Sequence, residues 1–467
     1  MGNKWNTVRL GDYCIKIGSG ATPKGGNSVY TDTGNTYFIR SQNVYNDGFN
    51  TNGLVFITDE AALKLKNVDV QESDILLNIT GDSVARVCIA PRAFLPARVN
   101  QHVAIIRPKN DAFDPRFLRY FLSSPQQQAL LLTLASAGAT RNALTKGMIE
   151  DLQVPKPHVH TQISIANVLE NFDKKIESNN KINQTLEQMS QTLFKSWFVD
   201  FDPVIDNALD AANLIPEALQ SRAELRQKVR NSADFKPLPA DIRALFPAEF
   251  EETELGCVPK GWKISTAGDE LVVKGGSTPS TSNADFWENG TIHWTSPKDL
   301  AGNDSKVLLD TSKKITELGL IKISSGLLPT DTVLMSSRAP IGYLAIAKTP
   351  MAINQGYIAI PSSKNLSPEY IIYWLENIMD DIKGMAGGTT FAEISKSAFK
   401  TINLVIPSKN VLAEFTRLAH QHFEKVVSNA RQITALTNFR DTLLPKLISG
   451  ELSLEDLPDI IKQTEAA

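Results

Sequence analysis

Cysteine is scarce in this sequence, with three residues among 467, at Cys14, Cys88 and Cys257. They are isolated and form no CxxC pair, which excludes a disulfide framework and fits a reducing compartment. No stretch approaches the ~18 uncharged apolar residues that span a membrane. The start MGNKWNTVRL has no apolar core, and Asn6 breaks the myristoylation pattern. We therefore expect a cytoplasmic protein without a membrane segment.

Motifs that carry catalysis are missing as well. The chain has no Pro-Pro pair, and so lacks the Asp/Asn-Pro-Pro-aromatic signature of amino-methyltransferases. It has no GxxxxGK[ST] phosphate loop, no GxSxG and no HExxH. The pairs His158/His160 and His420/His422 lack a cysteine or carboxylate at ligand spacing, which predicts helix-flanking polar residues and no metal. A non-catalytic subunit is the better interpretation, although composition does not exclude a nuclease triad of acidic residues and lysine.

The net charge of −3 hides an uneven distribution. Residues 1–157 carry 17 basic and 13 acidic groups, whereas residues 200–258 carry 6 and 12. Nucleic-acid-binding domains are usually basic, so the near-zero total argues against such a function only weakly.

An internal duplication is the main signal. WNTVRLGDYCIKIGSGATP from Trp5 aligns with WKISTAGDELVVKGGSTP from Trp262. Four further blocks align in the same order: DILLNITGDSVARVCIA with DTVLMSSRAPIGYLAIA, VNQHVAIIRP with INQGYIAIPS, FDPRFLRYFL with LSPEYIIYWL, and GATRNALTKGMIEDLQVPKP with GTTFAEISKSAFKTINLVIP. Within a copy, LVFIT, DILLNI, ARVCIA and HVAIIRP predict strands, and PRFLRYFLSSPQQQALLLTLA predicts a helix. The chain is therefore predicted to hold two similar α/β domains of about 150 residues.

Two long stretches without Gly or Pro, Thr161–Asp202 and Ser408–Leu444, follow the two copies. Their 3-4 apolar spacing is typical of a coiled-coil seam, and Thr161 to Trp197 would span about 55 Å as a helix. Asn179 and Asn429 occupy the same heptad position, where asparagine fixes register at a cost in stability. We expect an antiparallel pair about a pseudo-twofold axis. Two alternatives stay open, that the asparagines face solvent or that each helix merely caps its domain. The residues expected to pair the helices are Asn179, Asn429, Leu186, Leu193, Leu436 and Leu443.

These patterns predict six segments. They are a first domain at 1–157, a first long helix at 158–199, an acidic ordered connector at 200–258, a second domain at 259–407, a second long helix at 408–450, and a frayed tail at 451–467.

Several of these segments resemble a known family. QTLFKSWFVDFDP and RDTLLPKLISGEL at the helix ends, FPAEFEETELGCVPKGW before the second copy, and GSGATP and GGSTP near the start of each copy are similar to its conserved regions. The whole chain resembles the DNA specificity subunit of Type I restriction–modification enzymes.

The resemblance implies a fold and a set of partners. Two target-recognition domains would each read half of an asymmetric, bipartite site on double-stranded DNA, and two long helices would set the spacer and bind two methyltransferase subunits. Restriction motor–nuclease subunits would join that core. S-adenosylmethionine, ATP and Mg²⁺ would bind the partner subunits and not this chain, which would be cytoplasmic and nucleoid-associated. Open alternatives are an enzyme with an unrecognised motif and an assembly scaffold of another phage-defence complex.

Candidate DNA contacts come from loops that follow predicted strands and from a short helix start near the end of each domain. At that helix start, a phosphate contact and an ordinary solvated face are both open. The Gly-rich turns could contact phosphates or merely connect strands, and Arg, Gln and Lys after a strand can read base edges. Asn100-Gln101 and Asn354-Gln355 recur in both copies, which favours a common scaffold role. The second domain holds one arginine against nine in the first, so we expect it to read DNA more through Lys, Ser, Thr and Gln, or with help from the methyltransferase subunits. The candidates are Ser19, Thr22, Lys24, Arg40, Gln42, Asn43, Thr80, Arg86, Arg141, Lys146, Ser277, Thr278, Lys298, Ser337, Arg338 and Lys396.

Overall fold

The computed structural model describes residues 5–137, 142–302, 305–338, 340–387 and 392–456. The chain divides into two compact units, one formed by Met1–Glu177 with Thr434–Ala467 and the other by Ser178–Ile433. Within the described ranges, no helix is long and apolar enough to cross a membrane. Part of the tail expected to fray, residues 457–467, lies outside the described residues.

The first copy is built from short strands, four helices and the first long helix. In chain order they are β1 (Thr7–Arg9), β2 (Cys14–Ser19), β3 (Tyr30–Thr31), β4 (Thr36–Ile39), β5 (Val44–Tyr45), β6 (Gly48–Phe49), β7 (Val55–Ile57), α1 (Asp59–Lys64), β8 (Asp69–Val70), β9 (Ile75–Asn78), β10 (Val87–Ile89), β11 (Ala97–Val99), β12 (Val103–Pro108), α2 (Pro115–Ser123), α3 (Pro125–Ser136), α4 (Lys146–Glu150), β13 (Gln153–Pro155) and α5 (Val159–Phe194).

A connector and the second copy follow. Their elements are α6 (Asp202–Asp210), α7 (Gln220–Arg230), α8 (Ala240–Arg243), β14 (Phe250–Thr253), β15 (Gly256–Pro259), β16 (Lys263–Thr266), α9 (Ala267–Glu270), β17 (Leu271–Lys274), β18 (Ile292–Thr295), β19 (Val307–Leu308), β20 (Lys313–Ile315), α10 (Glu317–Ile321), β21 (Val333–Ser336), β22 (Leu344–Ala347), β23 (Met351–Ile353), β24 (Tyr357–Ser363), α11 (Pro368–Asn377), α12 (Met379–Gly384), α13 (Lys396–Lys400), β25 (Asn403–Ile406) and α14 (Lys409–Ser449).

The strand order confirms the duplication. The first copy has a sheet β2-β12-β9-β10, and the second has β17-β24-β21-β22 extended by β19. A second sheet contains β7-β4-β11 in the first copy and β20-β18-β23 in the second. The pairs β4–β11 and β18–β23 are parallel, whereas most other neighbours are antiparallel. Each copy is therefore a mixed α/β domain with the same topology.

Two details differ from the sequence expectations. The helix predicted in PRFLRYFLSSPQQQALLLTLA is broken at Ser124, because Pro125 starts a new helix and cannot continue the old one.

The sequence alignment that pairs Asp74 with Asp331 is one residue out of register. Asn78 and Ser336 are the true equivalents, since they pair with the first residues of β12 and β24. A shift of one residue in a strand moves a side chain to the opposite face.

The long helices run antiparallel in each unit. In the unit that contains the first domain, the rings of Phe172 and Phe439 lie 5.5 Å apart, and Arg440 pairs with Asp173 at 2.7 Å. In the other unit, Asn179 donates to Gln432 and Asn429 donates to Asn183, each at 2.8 Å.

The residues expected to pair the helices lie along this contact. Asn179 and Asn429 are buried between the helices, and each amide bonds the opposite helix. Leu186 and Leu193 pack on the core of the second unit, Leu443 is buried in the core of the first, and Leu436 is half-buried. Helix α5 ends in one π-helical turn, Lys195–Val199, which buries Trp197 against aromatic side chains.

The connector is ordered by its own charges. Asp202, Asp206 and Asp210 on α6 face arginines that lie twenty residues later on α7. Arg222 binds Asp202 through two nitrogens, at 2.8 and 2.7 Å. Paired carboxylates and guanidinium groups of this kind hold two helices in one register. The arginines of this segment are thus paired within it, and its net acidic excess lies on other carboxylates.

Candidate nucleic-acid interface

Two turns touch in each domain at the end of the main sheet. The amide of Ala21 donates to the carbonyl of Val99 at 3.0 Å, and the amide of Ser277 donates to that of Ile353 at 3.1 Å. A Cβ at Gly20 or Gly276 would overlap the carbonyl oxygen of the facing turn. Glycine is therefore required at both positions by close approach of backbone to backbone.

The Gly-rich turns expose different side chains in the two domains. Ser19, Thr22 and Lys24 are exposed in the first domain. In the second domain Thr278 is exposed, whereas Ser277 is half-buried and donates to the carbonyl of Lys322 at 3.1 Å. Because its hydroxyl already fixes a neighbouring loop, Ser277 is less available to a ligand than its neighbour.

In each recurring Asn-Gln turn, the asparagine bonds its own turn and the glutamine is exposed. The carboxamide oxygen of Asn100 accepts the amide of His102 at 3.2 Å, and that of Asn354 accepts the amide of Gly356 at 2.8 Å. The asparagines therefore shape the turn. The glutamines next to them are exposed, and each accepts a hydrogen bond from a threonine of the facing turn, Gln101 from Thr22 and Gln355 from Thr278.

A short 3₁₀ turn after β4 and β18 projects one exposed residue in each domain. In the first domain Asn43 is fully buried, accepts the amide of Arg40 at 2.9 Å and donates to the carbonyl of Asn50 at 2.8 Å. Its side chain is therefore occupied in closing the turn and is not available to DNA. Gln42, beside it, is exposed and donates to the carbonyl of Asn52 at 3.3 Å. Lys298 is its equivalent in the second domain. Arg40 is half-buried, donates to the carbonyl of Gly53 and stacks over Tyr30.

Asp299 closes the equivalent turn in the second domain. Its carboxylate accepts the amide of Ser296 at 2.8 Å, and the amide and hydroxyl of Ser312 at 2.9 and 2.6 Å. Burial disfavours the charge, but these hydrogen bonds outweigh burial and lower the pKa of Asp299. The turn that presents Lys298 is thus held by an ionised carboxylate.

We expect Asp299→Ala to lower the free energy of unfolding by about 1–3 kcal/mol, because the amide of Ser296 and the amide and hydroxyl of Ser312 lose a charged acceptor. Asp299→Asn should cost less, since Asn43 closes the same turn in the first domain. The pKa is depressed in the folded state, so this stabilisation is full above about pH 4 and is lost as the pH falls through the folded-state pKa. Urea denaturation should show an unchanged difference in stability between wild type and Asp299→Asn from pH 7 to about pH 5, and a difference that narrows as the pH falls below about 4. A gap that is constant with pH would contradict this account.

The remaining strand-end candidates are mostly occupied by neighbours. Thr80 lies 2.5 Å from the Nδ1 of His102, and Arg86 stacks over the ring of Tyr45 at 4.4 Å. Ser337 is buried. Arg338, its neighbour, lies 3.6 Å from the carboxylate of Glu393 in a partly exposed pair. Pairs with this exposure are weak, so Arg338 can exchange Glu393 for a phosphate at little cost.

Two candidate lysines begin equivalent short helices. Lys146 and Lys396 are both exposed, and Lys146 lies 3.5 Å from Glu150. A cleft of about 740 Å³ in the second domain brings together Gly276, Ser337, Gln355 and Lys396. Arg141, which was named with Lys146, lies outside the described residues.

Groups that could carry chemistry lie elsewhere. Burial raises the pKa of the Cys14 and Cys88 thiols to about 12, so both are protonated at neutral pH. His420 contacts the carboxylate of Glu369 at 2.9 Å, and His422 contacts the hydroxyl of Ser190 at 2.7 Å. In the ranges that the structure covers, no three His, Cys, Asp or Glu side chains form a cluster able to hold a metal ion.

The family model for the Type I restriction modification DNA specificity domain matches residues 2–188 and 259–422. These two matches cover both domains, most of α5 and the first third of α14. The chain belongs to this family.

Named relatives of this specificity-subunit family support the assignment. The chain is 29% identical over 374 residues to the Type I restriction enzyme HindI specificity subunit of Haemophilus influenzae, which covers 76% of this chain and 81% of the relative. It is 33% identical over 193 residues to the MjaIX specificity subunit of Methanocaldococcus jannaschii, covering 41% and 44%. The Type I restriction–modification S subunit of M. genitalium has a similar fold, with a TM-score of 0.55, 16% identity and 96% of each chain covered.

In this specificity subunit, the repeated Asn-Gln pair favours a common scaffold role from sequence alone. The structure distinguishes its two members, since the asparagines bond their own turn and the exposed glutamines bond the facing turn. His102, which contacts both Gln101 and Thr80, is not among the DNA contacts that the sequence predicts. The signal was present in the repeat, because Asn-Gln is kept in both copies while the next residue changes from His102 to Gly356.

Proposed function

We propose that this specificity subunit reads a bipartite, asymmetric DNA sequence, with one half-site for each domain. The observation that carries this proposal is the duplicated loop cluster, in which equivalent turns follow equivalent strands but expose different side chains. Gln42 in one domain and Lys298 in the other project from turns of the same construction. Gln pairs with the edge of adenine and Lys with that of guanine, so such an exchange changes the sequence that is read.

The paired long helices support a fixed spacer between half-sites. Asn183 and Asn429 form a buried amide pair, and the buried Asn179 bonds the exposed Gln432. Sliding one helix along the other would leave the buried asparagines unpaired. An unpaired buried polar group costs about 1–3 kcal/mol. A helix pair with a defined register is the kind of element that holds the separation of two half-sites constant.

Two equivalent clefts support binding of two methyltransferase subunits. One, of about 660 Å³, is lined on α5 by residues that include Gln188, Met189 and Leu193. The other, of about 540 Å³, is lined on α14 by residues that include Asn438, Phe439 and Leu443. These positions are 250 residues apart, as are the two copies of the helix. A surface that is duplicated together with its helix fits two copies of one partner.

The cofactors belong to the partner subunits in this proposal. S-adenosylmethionine would serve adenine N6 methylation, and ATP with Mg²⁺ would serve cleavage by motor–nuclease subunits. This chain would contribute DNA binding, orientation of the half-sites and docking of those subunits.

We expect Gln188→Arg and Asn438→Arg each to remove one methyltransferase subunit from the complex, and the double variant to remove both. Both residues are exposed, so a long charged side chain fills the cleft without disturbing the core. Loss of about 2 kcal/mol weakens binding roughly 30-fold. Mass measurement of the purified complex reports the stoichiometry. Asn171→Arg and Gln421→Arg, exposed on the same helices and also 250 residues apart, are the matched controls. Two bound subunits in the double variant would rule out the clefts as docking sites.

Methylation mapping in a host that expresses this chain with its methyltransferase subunit tests the function. A single split motif, with adenines modified in both halves, is the expected result. Replacing residues 1–157 by the first domain of another specificity subunit should then change one half only. A stable complex that modifies no new motif would refute sequence reading and favour an assembly scaffold.

A further inference from the structure

We propose that each recognition domain carries the same phosphodiester-binding contact, formed by Thr22 and Gln101 in the first domain and by Thr278 and Gln355 in the second. This inference rests on the function proposed above. It separates residues that hold any DNA duplex from residues that read its sequence.

The contact is built identically in both domains. A glycine without room for a side chain, Gly20 or Gly276, brings the two turns together. The threonine two residues later donates to the carboxamide oxygen of the glutamine, at 2.7 Å in the second domain. The asparagine before the glutamine fixes the turn, because its carboxamide oxygen accepts the backbone amide two residues later. The glutamine is therefore exposed but held in one orientation before any ligand arrives.

The orientation favours an acceptor-only ligand. The threonine hydroxyl takes one of the two acceptor positions of the glutamine oxygen and orients the carboxamide, so that its N–H groups are available to a ligand. In the first domain the nitrogen of Gln101 lies 3.0 Å from the Nε2 of His102, which engages one N–H and leaves the other. Phosphate oxygens only accept hydrogen bonds. The edge of adenine needs the oxygen and the nitrogen of a glutamine together.

A positive charge lies beside the contact in the second domain. Gln355 and Lys396 line the same cleft, and the Nζ of Lys396 would lie 3.0 Å from a Cβ placed on Gly275. The ammonium group thus lies over the glycine turn. Lys146 occupies the equivalent helix position in the first domain. A lysine together with amide donors suits an anionic phosphodiester.

Comparison of the two domains separates shared from specific contacts. Two readers of different half-sites can share a side chain only where it contacts something that both half-sites contain. Every duplex contains phosphodiesters, whereas the base sequences differ. The Thr–Gln pair is the same in both domains, whereas Gln42 is replaced by Lys298.

The test uses the full complex with its methyltransferase subunits and DNA that carries the mapped motif. Single phosphates around each half-site are replaced by neutral methylphosphonates, and binding is measured for wild type, Gln101→Ala and Gln355→Ala. We expect each variant to lose about tenfold in affinity for cognate and scrambled DNA alike, with the methylated motif unchanged. One methylphosphonate in the first half-site should weaken wild type but not weaken Gln101→Ala any further. A different one in the second half-site should behave in the same way with Gln355→Ala. Gln153→Ala, at an exposed position of β13, is the control.

Three results would overturn the contact. The first is an affinity loss confined to one base pair, which means that the glutamine reads a base. The second is unchanged affinity in a variant with the melting temperature of wild type, which means that it is scaffold only. The third is that the loss of affinity caused by a methylphosphonate adds to the loss caused by the glutamine variant at every phosphate position tested. If wild type itself prefers no sequence, the proposed function fails, yet the phosphate contact is still scored on scrambled DNA.

Discussion

Gly276→Ala is expected to abolish reading of the second half-site, whereas Gly275→Ala, one residue away, should weaken it far less. A methyl group at Gly276 overlaps the backbone oxygen of Ile353, which cannot move without displacing the Asn-Gln turn. At Gly275 the new methyl meets the flexible side chain of Lys396, which can turn away. Overpacking against backbone costs about 3 kcal/mol, or roughly a 100-fold loss in the population of the binding geometry.

The same comparison of two glycines can be made in the first domain. Gly20→Ala overlaps the backbone of the turn at Val99, whereas Gly18→Ala meets no atom within 4 Å. Methylation of each half of the motif, measured for the four variants, should show a loss in one half for Gly20→Ala and in the other for Gly276→Ala. Equal effects of Gly275→Ala and Gly276→Ala would show that the close approach of the turns is not required.

Asp74→Ala is expected to lower the free energy of unfolding by about 3–5 kcal/mol. Asp74 is buried, and its carboxylate receives two hydrogen bonds of 2.7 Å from Arg107 and one of 2.7 Å from the amide of Gln71. Arg107 is itself mostly buried, and the hydrogen bond to Asp74 raises its pKa. Removing one member leaves a guanidinium charge buried without its partner, which accounts for the large cost.

Asp331 is the matched comparison, because sequence alignment pairs it with Asp74. Its side chain is 51% exposed, and it pairs with Lys348 at 2.8 Å. Lys348 also lies 3.4 Å from Glu424, so it keeps an acidic neighbour in Asp331→Ala. That variant should cost less than about 1 kcal/mol. Chemical denaturation at pH 7 compares the two variants, and similar costs would contradict the one-residue shift in register.

The repeat made much of this fold predictable from sequence. Strands β7, β9, β10 and β12 lie where alternating and β-branched segments indicated them, and the 3-4 spacing indicated both long helices. Other features depend on contacts that are distant in sequence. The burial of Asn43 depends on the loop at Asn50 and Asn52, and nothing in FIRSQN shows that Gln42 faces outward while Asn43 faces inward. The register of Asp74 depends on pairing with β12.

The sequence predicted which loops form the candidate site. It did not predict which side chains in those loops are free to contact DNA. Arg86 lies over Tyr45, and Ser277 is bonded to Lys322; neither partner is near in sequence. Asn100 and Gln101 are adjacent and chemically alike, yet one shapes the turn and the other is presented to solvent. Residue type and spacing identify the loop, whereas tertiary hydrogen bonds decide which side chains in it can meet DNA.

The arginines of the first domain have a consequence for ionic strength. Most of the nine bind acidic partners within the domain, among them Arg98 with Asp69, Arg107 with Asp74 and Arg116 with Asp114. An arginine that is already paired with a carboxylate displaces few counterions when the protein binds DNA. The affinity for DNA falls with added salt in proportion to the number of counterions displaced. The first domain therefore does not show a ninefold steeper salt dependence of DNA affinity than the second, although it has nine times as many arginines. The two halves of the protein should respond to salt in similar degree, because exposed lysines at the loop ends set that response.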